Sequence, residues 1–388
     1  MSAAPSTLAE SPAQRFFFFD VLRGVSAQMV LVGHALNVFF PAVFMTVAPD
    51  GLLQARPLLP YVQNLGVLVF FCISGYLVTA SVMRRSASAS YGLADFLLDR
   101  FARIFTPLVP LLLLLYAAEN AFGDDGARLP WLVLNVGLDD LLLNLTMLFD
   151  HPAMSALANL TGVDVLRAGA FGSAEQLWTV VIEWWIYVTF GILALAVVRR
   201  RRPDPALLIA LAIAAMVPAW ALVRGNGLIV AWITGMLFCL GSAKLADVRR
   251  ELLLLLAASC AALGGVRLLF VQWNFYDGVA ACLLSSGICL TAVALADLRP
   301  PRPGPLSRLA AGLSEISYSV YLVHLSVLMW LLVARPELSG SAGGLALGIL
   351  LANALAAAFW WAFERHYPLV RRTIGRHLAP FRTAACRR

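Results

Sequence analysis

The sequence predicts an all-α membrane protein, a bundle of about ten transmembrane helices, and three observations predict it. Of 388 residues, 61% are hydrophobic and 13% charged, where a soluble domain carries about 25% charged residues. Ten apolar runs are long enough to span a bilayer, at 16–40, 64–83, 101–121, 175–198, 206–222, 228–245, 251–271, 277–297, 313–334 and 342–363. The basic residues are also one-sided. With the N-terminus in the cytoplasm, cytoplasmic segments and adjoining helix ends hold 23 of the 29 Lys and Arg residues. The opposite loops hold five (Arg56, Arg128, Arg167, Arg224 and Arg335), and Arg267 lies within a span. That bias orients a membrane protein with both termini inside. It also accounts for the net charge of +7 without nucleic acid, which is not expected as a partner.

The first run, Arg15 to Phe40, is too long for a signal-peptide core and is interrupted by Asp20 and Arg23, so it is expected as a retained span. Residues 1–14, rich in Ala, Ser and Pro, read as a disordered cytoplasmic tail, 15–366 as the membrane domain, and 367–388 as a basic cytoplasmic tail. A charge at bilayer depth costs about 2.5–3.5 kcal/mol or more, so such residues usually face a cavity and act there. Arg23 and His34 are eleven positions apart, within about 20° of each other on a helix and separated by roughly 16 Å of rise. Asp20 lies one turn below on the same face. One stripe thus carries Asp20, Arg23 and His34 into the membrane.

The second run is FFCISGYLVTASVMRR, Phe70 to Arg85. Ser74, Gly75 and Tyr76 put small and hydroxylated residues where helices approach closely or a ligand passes. The third opens with Asp99-Arg100 and Arg103. Positive-inside charge explains these arginines singly. Spaced three apart at the expected mouth of a span, they can also point together at a phosphate, which suits the planar guanidinium fork.

The outward segment 122–174 holds Asp124, Asp125, Asp139, Asp140, Asp150 and Asp164. Within it, Asp139 to Phe149 is apolar but too short to span, which predicts an interfacial or re-entrant helix. Loops this long often act as lids or binding loops. The fourth span begins LWTVVIEWWIY, where Thr179, Glu183 and Tyr187 recur every four residues. An aromatic belt explains the tryptophans but not a carboxylate about two turns into a span. The next four spans carry little polarity. The linker 298–307, LRPPRPGPLS, reads as a proline-stiffened hinge. In the ninth span Ser314, Ser317, Tyr321 and His324 share one face, either as an interhelical hydrogen-bond ladder or as part of a site. The six cysteines form no C-x-x-C pair, so neither a disulfide framework nor a metal site is expected.

Taken in order, DVLRG with a histidine eleven positions after the arginine, FFCISGYL, RFARI, LWTVVIEWWIY and ISYSVYLVH resemble the signature blocks of the acyltransferase 3 family of integral-membrane O-acyltransferases. The resemblance implies ten spans in a plasma (inner) membrane and transfer of an acyl group, commonly acetyl, from cytoplasmic acyl-coenzyme A. The acceptor is a hydroxyl of an envelope polysaccharide, glycolipid or glycoside. It further implies His34 as the essential histidine, Arg23 as its partner, Glu183 as the acidic residue, and Arg100 with Arg103 as the coenzyme pair. Asp20, Ser74, Tyr76, Tyr187, Tyr321 and His324 are expected to support them. Acyl-coenzyme A would be a substrate, with no resident cofactor. Two positions depart from the family pattern. Proline follows Arg103 at Pro107, one residue late, which predicts a shifted helix start, and Ser326 stands where proline is common.

His34 is expected as a general base in a direct transfer, or as the nucleophile of an acyl-histidine intermediate, since imidazole titrates near neutrality, with an ionised Glu183 nearby. A glycolipid flippase is the rival, because it too would bury Asp, Arg, Glu and His along a pathway. The absence of an inverted repeat in the sequence counts against it.

Overall fold

The first helix, α1 (Phe17–Phe39), is long and apolar enough to cross a membrane with Asp20 and Arg23 aboard, both near its N-terminal end. It packs against α2 (Val62–Arg85), and against two helices, α12 (Ser317–Ala334) and α13 (Ala342–Ala362), from the far end of the chain. The structure is a computed structural model describing residues 17–41, 45–47, 53–55, 62–88, 91–121, 135–197, 204–271, 274–296 and 304–385. The expected N-terminal tail, Asp124, Asp125 and Cys386 lie outside these residues.

Between them run α3 (Leu93–Ala121), α4 (Leu138–Leu145), α5 (Pro152–Thr161), α6 (Leu177–Gly191), α7 (Pro205–Val223), α8 (Leu228–Leu245), α9 (Arg250–Phe270), α10 (Gly278–Ala294) and α11 (Pro305–Glu315). A final helix, α14, covers Tyr367–Ala385. A two-stranded antiparallel ribbon, β1 (Met45–Val47) with β2 (Leu53–Ala55), decorates the loop after α1 and leaves the class all-α.

Nine described helical segments are long and apolar enough to cross a membrane, and each expected span falls on a helix. The eighth, α10, is apolar but has only 17 residues. The protein is a multi-pass membrane protein. Its centre is α12 and α2, whose apolar windows are 72% and 61% buried, whereas α7 and α9, at 22%, stand at the rim with their leucines outward.

Small residues set the closest contact. A Cβ on Gly75 would overlap the carbonyl oxygen of Trp232, and one on Gly235 would overlap that of Cys72. The backbones of α2 and α8 therefore touch, the packing mode that membranes favour where side chains offer no hydrophobic gain. Gly75 thus has the close-approach role expected of the Ser74–Tyr76 segment.

Four expectations are corrected. The third span begins at Leu93, not 101, because the Asp95 carboxylate accepts a hydrogen bond from Gly92 N–H at 3.2 Å and starts the helix two turns early. Arg100 and Arg103 therefore lie inside α3 rather than at its mouth. The ninth span is interrupted at Ile316, so Ser314 belongs to α11 and not to the face of Tyr321 and His324. The hinge ends sooner than expected, since Pro305–Ser307 already form the first turn of α11; residues 298–303 lie outside the described residues. The C-terminal segment is not a plain tail either. As α14 it packs on α3.

The described part of the outward segment is tied down rather than loose. Its first short helix, α4, falls on the stretch 139–149 expected as an interfacial or re-entrant helix, and a second, α5, follows it. Asn144, 1% exposed, donates to Asp140 O and Gly169 O and accepts from Phe171 N–H. Glu119, at the outer end of α3, accepts from the Ser173 amide at 3.0 Å. Gly172 lies against that carboxylate with φ +53°, a conformation and a spacing that leave no room for a side chain.

Candidate functional site

A cavity of about 550 Å³ opens among α1, α2, α3, α6, α12 and α14. Its mouth is the end at which α2 finishes and α3 begins. Arg85, Asp99 and Arg371 line it there, with Tyr367 and Pro368 of α14. Arg85 and Arg371 each hydrogen-bond one oxygen of Asp99, which is 7% exposed. Arg23, Arg100 and Arg103 line the next level. Arg23 pairs with Asp20 at 3.7 Å, as their one-turn spacing on α1 predicts. Arg103 pairs with Glu364 at 3.8 Å and lies over the Tyr367 ring at 5.0 Å. Glu364 also accepts from the Ser319 amide at 3.0 Å and hydroxyl at 2.6 Å, which ties the end of the last span to α12. No carboxylate lies within ion-pairing distance of Arg100 among the described residues; its guanidinium sits 5.7 Å from the Tyr187 ring centre, and its Nε is buried without a hydrogen-bond partner.

Deeper in the cavity stand Glu183, Tyr187 and Ser74. The repeat of four places Glu183 and Tyr187 one turn apart on α6, and the Tyr187 hydroxyl donates to Glu183. Ser74 Oγ lies 2.8 Å from that hydroxyl and accepts from Trp232 Nε1 at 3.2 Å. The lining ends at Thr179, Phe70 and Tyr321. Phe70 and Tyr321 meet edge to face at 6.0 Å. The Tyr321 hydroxyl donates to Gln176 O at 3.0 Å and also bonds the Thr179 hydroxyl.

One turn beyond Tyr321 is a pair of imidazoles. His34 Nδ1 is 2.8 Å from His324 Nε2, and the rings stack at 5.0 Å. His324 is fully buried, and its Nδ1 lies 3.0 Å from Val320 O and 2.8 Å from Tyr321 O. Carbonyl oxygens only accept, so this nitrogen carries the hydrogen. In the neutral ring Nε2 is then the acceptor, and His34 Nδ1 must be the donor. The pair therefore leaves the Nε2 lone pair of neutral His34 unprotonated, the form a general base requires.

The structure brings together Arg23, Arg100, Arg103, Ser74, Glu183, Tyr187 and Tyr321 around one cavity, and His34 with His324 just beyond it. It separates other pairs that the sequence suggested. The polar partner of His34 is His324, not Glu183, whose described partners are Tyr187 and nearby Ser74. Arg23 stands eleven residues below His34 and faces the cavity instead. Tyr76 is not among the cavity-lining residues and packs at a tilt against Phe19, ring centres 4.8 Å apart. Sequence reasoning missed Trp232, Asp99, Glu364 and Arg371. Asp99 and Glu364 carried a signal, each being a carboxylate beside an arginine at a span end; Trp232 and Arg371 carried none.

A polytopic helical bundle with a cation-lined cavity running from one face towards a histidine pair, His324 buried and His34 half-buried, defines the class. The chain belongs to the acyltransferase 3 family: the family model described as an acyltransferase domain matches residues 16–365. An O-acetyl transferase of Shigella phage Sf6 is 30% identical over 177 residues, 45% of this chain and 44% of that relative, so the match spans less than half of either protein. No solved structure matches the chain.

Proposed function

We propose that the protein transfers an acyl group, in the simplest case acetyl, from acyl-coenzyme A at the cytoplasmic face to a carbohydrate hydroxyl. The observation that carries this reading is the arrangement of charge along one cavity. Five arginines line it, two at the mouth and three at the next level, all before Glu183 and Ser74, and the neutral-base tautomer of His34 lies just past its inner end. Acyl transfer to an alcohol needs a grip on the donor, a base for the hydroxyl and donors for the tetrahedral oxyanion. Arg100, which has no ion-paired carboxylate among the described residues, and Arg103 take the donor phosphates. The arm of the donor then runs inward past Ser74, whose hydroxyl and that of Tyr187 lie where they can hydrogen-bond the thioester. The acceptor enters from the opposite face, beneath the outward segment 135–174, and is an envelope polysaccharide, a glycolipid or a secreted glycoside.

In the transfer step His34 Nε2 takes the proton of the acceptor hydroxyl as its oxygen attacks the thioester carbonyl. The tetrahedral intermediate collapses, the C–S bond breaks, and the thiolate of coenzyme A leaves and takes up the proton. His324 acts by holding His34 in the required tautomer. Phe70 and Tyr321 stand between the cavity and the imidazoles, so a reactive complex requires one of these rings to turn aside. The chain resides in the plasma membrane with both termini cytoplasmic, the orientation that the basic residues favour.

Mass spectrometry of envelope glycans and secreted glycosides, with and without the gene, tests this reading. A loss of one acyl mass from a glycan names both the group and the acceptor. Identical glycan profiles, together with no coenzyme A release by the purified protein, reject it.

A further inference from the structure

The described cavity has a second cationic cluster that the reading above leaves without a task, and its members come from three helices, one of them distant in sequence. Asp99 of α3 receives Arg85, from the end of α2, on one oxygen and Arg371, from α14, on the other. The carboxylate is buried, whereas the two arginine side chains are 38% and 36% exposed and line the cavity. Each guanidinium therefore spends one edge on Asp99 and keeps further N–H groups for the cavity. Two cations thus share one hydrogen-bonded anion, with the Asp95 carboxylate also within electrostatic reach of Arg371. The Tyr91 ring lies 4.4 Å from the Arg85 guanidinium and packs it in place. A carboxylate that holds two guanidinium groups at fixed positions is the second-layer support that a preorganised anion site needs.

The depth of this cluster identifies its ligand. Ser74 lies eleven residues above Arg85 on α2, about 16 Å of helix rise. Arg103 lies four residues deeper than Asp99 on α3, about 6 Å. A coenzyme A thioester that enters acyl end first brings its diphosphate to the inner arginines. Its adenosine, with the phosphate on the ribose 3′ oxygen, comes last.

We propose that Arg85 and Arg371, both bound to Asp99, form a second anion subsite that takes the ribose 3′-phosphate of the donor, with α14 as an integral wall of the site. This inference rests on the donor being a coenzyme A thioester. It makes Arg371 a binding residue supplied by a helix that the sequence presents as a basic tail. It also explains why Tyr367 and Pro368, at the start of α14, face the cavity. A dianionic phosphomonoester between two guanidinium groups forms charge-assisted bonds with both, whereas a donor lacking that phosphate leaves the pair on Asp99 alone.

The test compares binding of coenzyme A and of 3′-dephospho-coenzyme A to the full-length protein in lipid nanodiscs. The wild type is expected to bind coenzyme A at least tenfold more tightly. Arg371→Ala and, independently, Arg85→Ala should each remove most of that preference and leave affinity for the dephospho form nearly unchanged. Equal wild-type affinity for the two compounds overturns the subsite and leaves the donor assignment standing. So does a preference that survives both substitutions, or an equal loss of affinity for both compounds, which is what a purely structural role would give. Failure of the wild type to bind either compound removes the donor assignment itself.

Discussion

Nδ1 of His34 donates a hydrogen bond to Nε2 of His324 over 2.8 Å, across 290 residues of sequence. The Nδ1 hydrogen of His324 is fixed on main-chain carbonyls, so its Nε2 accepts and holds His34, which also hydrogen-bonds the Val30 carbonyl, as the donor.

Removing either ring should therefore have unequal consequences. His34→Ala should abolish transfer, a loss on the order of the 10²–10⁴-fold that a positioned general base contributes. His324→Gln keeps a hydrogen-bonding group but cannot enforce the tautomer, so it should lower kcat by less than His34→Ala while leaving KM for the donor near its wild-type value. Steady-state kinetics of both variants decide this. A His324 variant that alters only KM would assign that ring to binding.

Arg100 is a cleaner probe of donor binding than Arg103. Arg103→Ala would strand the 1%-exposed Glu364 with Ser319 alone, so folding and binding losses would mix. Arg100→Gln should raise KM for acyl-coenzyme A about ten- to a hundredfold, the worth of a charge-assisted phosphate contact. Glu183→Gln should lower turnover with little change in donor affinity. Titration with a non-hydrolysable acyl-coenzyme A analogue separates the two, and the opposite pattern would move the donor site away from α3.

Gly75→Ala should cost about 1–3 kcal/mol or more, since the new methyl meets the Trp232 carbonyl on a neighbouring backbone. The shift of α8 would also carry the Trp232 indole away from Ser74. Thermal melting in detergent should show the loss, with activity falling further than stability. A Gly75→Ala protein with the wild-type melting temperature and activity would contradict the close packing of α2 and α8.

Reporter fusions at Arg388 and near Asp125 should report opposite sides of the membrane. The same side for both would break the orientation and with it the division into donor and acceptor faces.

The bundle was legible because spanning a membrane leaves a long apolar run and a one-sided distribution of arginines. Most of the site was legible for a related reason: Asp20, Arg23, Glu183 and His34 stand out against such runs. What sequence could not show is which polar residue meets which. His34 and Glu183 look like natural partners, yet Thr179 and Tyr321 occupy the level between the cavity and the imidazoles. Arg371 reaches Asp99 across 272 residues, a pairing no local pattern encodes. The early start of α3 depended on a single capping carboxylate, Asp95, that apolar periodicity ignores.

The most direct test of the central claim uses proteoliposomes of fixed orientation, with acetyl-labelled acetyl-coenzyme A on the side of Arg100 and a glycoside acceptor on the other. The wild type should place label on the glycoside. His34→Ala should place none while still binding the coenzyme A analogue with wild-type affinity. Undiminished labelling by His34→Ala would contradict the account.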